Sequence, residues 1–270
     1  MHPRSAHAAL ALAVAVALVV GARPARAAST PPGVNLRWDN CFGDGGVANK
    51  AFACDTNAGS ERLVLSFVLS EPLANVDGVE IAVEVAATST QLPAWWQFVD
   101  FSNCRPQGIS ITAALPPAAV NCTDWASGLA SMNIASYTVG FTGPSSARLL
   151  SANAVRASDV ATVLPGVEYS AANFLINHGR TVGAGACAGC DVPVCVIAGQ
   201  LGIFTSDSQS VDLFVGANGP SSQVATWQGG VATNLRLEHF GDRFETIGDC
   251  VLSNTPTRVS TWGAVKALYR

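Results

Sequence analysis

The stretch Cys187-Ala-Gly-Cys190-Asp-Val-Pro-Val-Cys195 decides the fold, because it places three of the eight cysteines of the chain between two strand-like segments. A structural zinc site needs four cysteine or histidine ligands, and Cys250 would complete such a set. A redox pair at Cys187 and Cys190 would need a helix that begins at the first cysteine. The small residues and the proline around that pair do not favour a helix. Disulfide bonds are the third possibility.

The N-terminus favours disulfide bonds. Arg4 precedes an unbroken apolar run over residues 8–20, and Ala25-Arg26-Ala27 has the small-x-small pattern of a signal-peptidase site. The run is shorter than the ~20 apolar residues of a membrane-spanning helix. We therefore predict that residues 1–27 are a cleaved secretory signal and that residues 28–270 form a single domain without a membrane span. The predicted location is secreted or periplasmic.

An exported chain with an even number of cysteines is expected to be fully disulfide-bonded, because the extracytoplasmic space is oxidising. Four bridges are therefore favoured over the zinc site and the redox pair. The residues expected to form them are Cys41, Cys54, Cys104, Cys122, Cys187, Cys190, Cys195 and Cys250. By sequence proximity, we expect the pairs Cys41–Cys54 and Cys104–Cys122. We expect Cys195 to pair with either Cys187 or Cys190, and Cys250 to pair with the other.

Alternating apolar and polar residues predict the strands. Over residues 62–69 and again over residues 79–86, every second residue is a large apolar one, which places that set on a buried sheet face. The short connection between the two runs contains proline, asparagine and glycine, so we predict that they are antiparallel neighbours. Glu80 and Glu84 would then lie on the solvated face.

Further alternating runs predict an all-β, mostly antiparallel sandwich of about ten strands, immunoglobulin-like, cohesin-like or jelly-roll in type. Ser158 and Asp159 stand where the N-cap and first turn of a helix would be, which predicts one short helix over residues 158–164. The C-terminal segment is expected to dock on the body through an apolar stripe. That stripe consists of Trp262, Val265, Leu268 and Tyr269.

Composition excludes several function classes. The net charge of −4 comes without a basic stripe, so nucleic acid is not an expected partner. Past the signal only His178 and His239 remain, and no Gly-x-Ser-x-Gly motif occurs, so we predict no catalytic residue, no cofactor and no metal. His178 is expected in a turn or on the surface. Glycoside hydrolysis needs two carboxylates, and the sequence does not single out a pair. The candidates are Glu80, Glu84, Glu168, Asp207 and Asp212.

Two binding hypotheses stay open. Trp95 and Trp96 suggest a sugar-stacking platform, although neighbouring residues of a strand point to opposite faces, so at most one of them can take part. The loop over residues 39–57 contains oxygen-bearing side chains that suit calcium but are also common in turns. Those side chains are Asp39, Asn40, Asp44, Asp55 and Asn57.

Three motifs carry a resemblance. They are Cys-x-Gly-Cys-x-x-Pro-x-Cys at residues 187–195, Thr226-Trp-Gln-Gly-Gly230, and the ending Thr261-Trp-Gly-x-x-Lys266-x-Leu-Tyr-Arg270. Together they resemble a group of exported bacterial proteins that has no established activity. More distantly, the run of strands is similar to cohesin-like and carbohydrate-binding-module sandwiches. We therefore expect a monomeric, non-enzymatic binding or structural module for a protein or polysaccharide partner. The alternative is a carbohydrate-binding or carbohydrate-active protein that uses Trp95 and Trp96.

Overall fold

The structure is a computed structural model that describes residues 30, 32–213, 220–241 and 243–252. The predicted signal over residues 1–27 and the apolar stripe of the C-terminal segment lie outside these residues. Within the described ranges, no helix is long and apolar enough to cross a membrane.

The described residues form fifteen strands and three short 3-10 turns. The strands are β1 (Gly33–Trp38), β2 (Asn49–Lys50), β3 (Ser60–Val68), β4 (Leu73–Ala87), β5 (Ile109–Thr112), β6 (Cys122–Asp124), β7 (Ser131–Val139), β8 (Ser146–Ala154), β9 (Ala161–Val163), β10 (Glu168–Asn177), β11 (Val194–Thr205), β12 (Ser210–Leu213), β13 (Val224–Trp227), β14 (Gly230–Phe240) and β15 (Arg243–Leu252). The 3-10 turns are Phe42–Asp44, Ala94–Trp96 and Pro220–Gln223. The all-β prediction is confirmed.

Two sheets build the sandwich. The five-stranded sheet has the order β1-β3-β10-β5, and β6 pairs with β10. The eight-stranded sheet has the order β2-β13-β11-β4-β8-β7, with β12 beside β11 and β9 beside β4. Apolar side chains from both sheets form one buried cluster, as expected where the inner faces of two sheets pack together. Most pairs are antiparallel, and β6 with β10 and β2 with β13 are parallel.

The predicted pairing of the first two alternating runs is wrong. β3 pairs with β1 and β10 in the five-stranded sheet, whereas β4 pairs with β8 and β11 in the eight-stranded sheet. The chain therefore changes sheet between Val68 and Leu73. The alternation itself was interpreted correctly, because Leu65 of β3 and Ile81 of β4 are both fully buried in the shared core.

The predicted helix over residues 158–164 is also wrong. Residues Ala161–Val163 form β9, which pairs with β4 through Val163 and Leu73. The segment contains Thr162 and Val163, whose β-branched side chains lose χ1 freedom in a helix and fit a strand. A free edge of β4 therefore outweighed the local capping signal of Ser158.

Four indoles in mutual contact fill the core and are called the tryptophan cluster below. Its members are Trp38, Trp95, Trp96 and Trp227, each at most 1% exposed. Trp227 is in contact with the other three, with ring centroids 5.4 to 5.7 Å apart. Rings at such distances contribute about 0.5–1.5 kcal/mol per pair beyond the area they bury.

All eight cysteines form disulfides, as predicted, but every predicted pair is wrong. The bonds are Cys41–Cys122, Cys54–Cys190, Cys104–Cys187 and Cys195–Cys250. Their partners are separated by 55 to 136 residues along the chain, so proximity in sequence was the wrong guide. The fold brings the long loop before β11 against the loops before β3 and β5, which accounts for Cys54–Cys190 and Cys104–Cys187.

A hairpin of β14 and β15 covers the outer face of the eight-stranded sheet and is tied to β11 by Cys195–Cys250. The expectation that Glu84 faces solvent is therefore wrong, since the hairpin leaves it 3% exposed. Thr142 Oγ1 and the Gly248 backbone N–H, at 3.0 Å, donate to its carboxylate. Burial raises the pKa of Glu84 despite these hydrogen bonds. Glu80 at the hairpin's other end pairs with Arg243.

We predict that peptide mapping of the oxidised protein under non-reducing conditions recovers the four bonds of the structure. Each bond stabilises the fold by about 2–4 kcal/mol, largely by restricting the unfolded chain. A cross-linked peptide containing both Cys41 and Cys54, or a free thiol within residues 187–195, would contradict the fold.

We predict that Glu84→Gln becomes relatively more favourable as pH rises. The pKa of Glu84 lies above its ordinary value of 4.5, so the folded state holds its proton at a pH where the unfolded state has lost it. The stability from this proton is fully present below the ordinary pKa and is lost as pH rises through the folded pKa. The measurement is the unfolding free energy of both proteins between about pH 4 and pH 7. A difference that is constant across this range contradicts the assignment.

Candidate functional site

The structure places Trp95 and Trp96 inside the core, which corrects the sugar-platform hypothesis. Both lie on the 3-10 turn Ala94–Trp96 and not on a strand. They are 0% and 1% exposed, and their rings meet edge-to-face with centroids 5.3 Å apart. Trp95 Nε1 donates to Thr181 Oγ1 at 2.9 Å. Neither ring can present a face to a sugar.

The zinc and redox alternatives for the cysteine stretch are not formed either. Zinc would need the sulfurs of four cysteines at one point, but those sulfurs belong to three separate disulfides. Cys187 and Cys190 bond to different partners, in the loops before β5 and β3. The stretch therefore joins loops together.

Three of the five candidate calcium ligands, Asp39, Asp44 and Asn57, are engaged by different partners. Asp39 pairs with Lys50 at 2.7 Å, and Asn57 Oδ1 accepts from the backbone N–H groups of Thr181 and Val182 at 2.7 and 2.9 Å. Asp44 accepts from three backbone N–H groups over residues 120–122. These bonds lower the pKa of Asp44 although partial burial opposes ionisation. Within the described ranges, one group of metal-ligand type occurs, Cys41, Cys122 and Glu168, and its two sulfurs are bonded to each other.

His178 begins a turn, as expected, because its carbonyl oxygen accepts from the Thr181 N–H at 3.2 Å. It is buried, at 5% exposed, so the alternative of a surface position is wrong. Its Nδ1 lies 2.6 Å from the Ala58 carbonyl oxygen and its Nε2 lies 3.1 Å from Glu61 Oε1. The imidazole stacks on Phe52 with centroids 3.8 Å apart. Both ring nitrogens and one ring face are thus engaged in packing the loop before β3.

The remaining predicted carboxylates are also held by the fold. Glu168 is 4% exposed and accepts from Ser66 Oγ at 2.5 Å and from the backbone N–H groups of Phe42 and Gly43 at 2.9 and 2.7 Å. Asp207 and Asp212 accept from Thr205 and Gln200, both of β11. Each of the predicted carboxylates therefore already has a hydrogen-bonding or ion-pair partner within the fold.

The structure instead shows a cleft of about 500 Å³ at one end of the sandwich, called the arginine cleft below. It is formed by residues 101–108, which lie before β5, and residues 177–180, which follow β10. Two of its lining residues are Arg105 and Arg180, and none is acidic. The disulfide Cys104–Cys187 joins the two loops that form it.

Arg105 lies at the base of the arginine cleft and is 2% exposed. Its guanidinium stacks on Trp95, 3.7 Å from the ring centroid, and Nη1 donates to the Trp95 carbonyl oxygen at 2.8 Å. Nη2 donates to the Asn177 carbonyl oxygen, and Nε is buried without a partner. Burial lowers the pKa of Arg105 to about 9, so the group stays charged at neutral pH. No carboxylate within the described ranges forms an ion pair with it.

Arg180 supplies an exposed cation at the rim of the arginine cleft. It has a positive φ of 62°, which non-glycine residues adopt rarely. The Cys187 N–H donates to its carbonyl oxygen at 2.7 Å, and one of its guanidinium nitrogens donates to the Cys104 carbonyl oxygen. The other guanidinium N–H groups leave further donors for a ligand, since arginine carries five.

Phe101 lies in the same lining and is 89% exposed. Val99, two residues earlier, has a φ of 69°, which is a strained conformation for a β-branched residue. Asp100 then fixes the turn, because its carboxylate accepts from both the N–H and the hydroxyl of Ser102 at 2.8 Å. The backbone is therefore held in a conformation that turns an apolar ring outward.

The arginine cleft was not found from the sequence, although weak signals are present. Phe101 is a large aromatic residue among Asp100, Ser102 and Asn103, and Arg105 directly follows a cysteine. Neither signal reveals that residues 101–108 and 177–180 come together, because that depends on an unpredicted disulfide. The chain matches no protein-family model, no curated protein and no solved structure.

We predict that Arg105→Lys lowers the unfolding free energy by about 1–3 kcal/mol, because the ammonium cannot stack on Trp95 and bond both carbonyl oxygens in one plane. Chemical denaturation of the oxidised protein measures this change. The matched control, Arg180→Lys, exchanges an exposed arginine and should shift stability by less than about 0.5 kcal/mol. Equal effects of the two substitutions would contradict the structural role of Arg105.

Proposed function

We propose that the protein is an extracytoplasmic, non-enzymatic binding module that takes an anionic ligand in the arginine cleft. One observation carries this proposal. In a chain with a net charge of −4, two arginines line one cleft whose lining contains no carboxylate.

The burial of Arg105 favours an anionic ligand. A charge removed from water without an opposite charge nearby is costly, and the lowered pKa of Arg105 reflects that cost. An anion in the cleft would add the missing opposite charge in surroundings less polar than bulk water, where the attraction is stronger. Arg180 at the rim can contact that anion directly, since its guanidinium is exposed.

The loops that carry the two arginines are held before a ligand arrives. Cys104–Cys187 joins them, and the Asn57 side chain bonds the backbone of Thr181 and Val182. Such preorganisation supports affinity, because less conformational freedom is lost on binding.

Two observations support the non-enzymatic and extracytoplasmic parts of the proposal. The lining of the arginine cleft offers amide and guanidinium groups and no carboxylate, histidine or thiol to act as a general acid, base or nucleophile. Four disulfides connect distant parts of the chain, and such bonds persist in oxidising compartments. These observations agree with the secretory signal predicted over residues 1–27.

We predict that the oxidised protein binds at least one of three polyanions at low ionic strength, namely poly-aspartate, inorganic polyphosphate and polygalacturonate. Arg180→Gln should weaken that binding about tenfold, as expected for the loss of one charge-assisted contact. Isothermal titration calorimetry measures the affinities.

The matched control is Arg156→Gln, which removes one positive charge from an exposed residue outside the cleft. This variant should bind like the wild-type protein. Equal affinities of the two variants for all three polyanions would show that only net charge matters and would contradict the proposal. Recovery of a polyanion with altered mass would contradict the non-enzymatic assignment.

A further inference from the structure

We infer that the anionic ligand is an acidic saccharide, with the apolar face of a pyranose ring against Phe101 and a ring carboxylate facing Arg180. This inference rests on the proposed function and narrows its ligand class. It is supported by three other side chains of the arginine cleft, Phe101, Asn103 and Gln107.

Phe101 distinguishes a ring-bearing ligand from a simple anion. An inorganic anion has no apolar surface and would gain nothing from a phenyl ring that is 89% exposed. Val99, two residues before this ring, has a positive φ of 69°, a costly conformation for a β-branched residue. A pyranose ring carries C–H groups on its faces, which an aromatic face can cover.

The amide side chains supply what sugar hydroxyls need. Asn103 lies in the lining, and its Nδ2 donates to the Phe98 carbonyl oxygen at 2.7 Å, which leaves its Oδ1 as an acceptor. Gln107 is exposed in the same lining and offers both an acceptor and donors. A hydroxyl group donates and accepts at once, so this mixture suits a saccharide better than a ligand with acceptors alone.

The surroundings argue against an acidic peptide on a folded partner. A stable protein interface buries about 800 Å² on each side around an apolar centre. Among the described residues, Phe101 is the one large apolar side chain of the cleft lining that is exposed. A cleft of about 500 Å³ instead matches the size of small-molecule sites.

An aromatic acid would also stack on Phe101, but such ligands occupy mostly apolar pockets. Five of the nine lining residues here are amides or arginines. They are Asn103, Arg105, Gln107, Asn177 and Arg180. The saccharide therefore fits the lining better.

The test is calorimetric titration of the oxidised full chain with trimers of galacturonate, glucuronate and mannuronate, each beside its neutral methyl ester. We expect at least one trimer to bind and its ester to bind about tenfold more weakly. Arg180→Gln should weaken the acid trimer about tenfold, and Phe101→Ala by about three- to tenfold. Arg156→Gln and Phe244→Ala, which change exposed residues outside the cleft, should leave binding unchanged.

The outcomes separate the inference from the proposed function. If no trimer binds while poly-aspartate, polyphosphate or benzoate binds in an Arg180-dependent way, the saccharide class is wrong and the anion-binding module stands. Equal trimer affinities of Phe101→Ala and Phe244→Ala would likewise overturn the inference. If binding of every anion is independent of Arg180, both are wrong.

Discussion

The stack of the Arg105 guanidinium on Trp95, at 3.7 Å from the ring centroid, connects the core of the protein to its surface. On the inner side, Trp95 belongs to the tryptophan cluster and contacts Trp227 with centroids 5.4 Å apart. On the outer side, Arg105 donates to the last residue of β10, Asn177. A cation over an indole gains about 0.5–2 kcal/mol, and the two carbonyl acceptors replace part of its hydration. The position of the arginine cleft therefore depends on how the core is packed.

The disulfides connect the packed core to the loops that form the arginine cleft. Cys187 and Cys190 are both buried against the core, and the Cys190 carbonyl oxygen accepts from Trp227 Nε1 at 2.6 Å. The stretch that carries them is bonded to the loops before β3 and β5. It thereby fixes Arg180 on one side of the cleft and residues 101–108 on the other. Cys195–Cys250 acts elsewhere, because it holds the β14–β15 hairpin over Glu84.

Local patterns in the sequence predict the strands but not their partners. The alternation over residues 62–69 identifies β3, because the period of two of a strand can be recognised within a few consecutive residues. Its neighbours β1 and β10 depend on which apolar faces meet in three dimensions. The burial of Glu84 has the same origin, since the covering hairpin begins well over a hundred residues later in the chain. The helix predicted from Ser158 fails because an available strand edge outweighs a capping signal.

The candidate site shows the same limit. Trp95 and Trp96 suggest a sugar-stacking platform in the sequence, yet large aromatic residues are first of all packing residues. Phe101, six residues after Trp95, is instead 89% exposed, and the local sequence pattern does not distinguish it from the buried aromatic residues. Arg105 stands out because no carboxylate lines the cleft beside it. The sequence cannot show this, because the lining residues come from two separate loops.

Whether Arg105 and Arg180 form one anion site is tested most directly by NMR. The titration follows the side-chain Nε–Hε signals of the arginines in the oxidised protein. A galacturonate trimer is added, and the signals are assigned with the Arg105→Lys and Arg180→Gln variants. We predict that the Arg180 and Arg105 signals shift together, with one affinity, while the Arg156 signal stays in place. Shifts spread over exposed arginines, or a shift of Arg180 with Arg105 unchanged, would contradict the claim that a buried and a rim cation form one anion site.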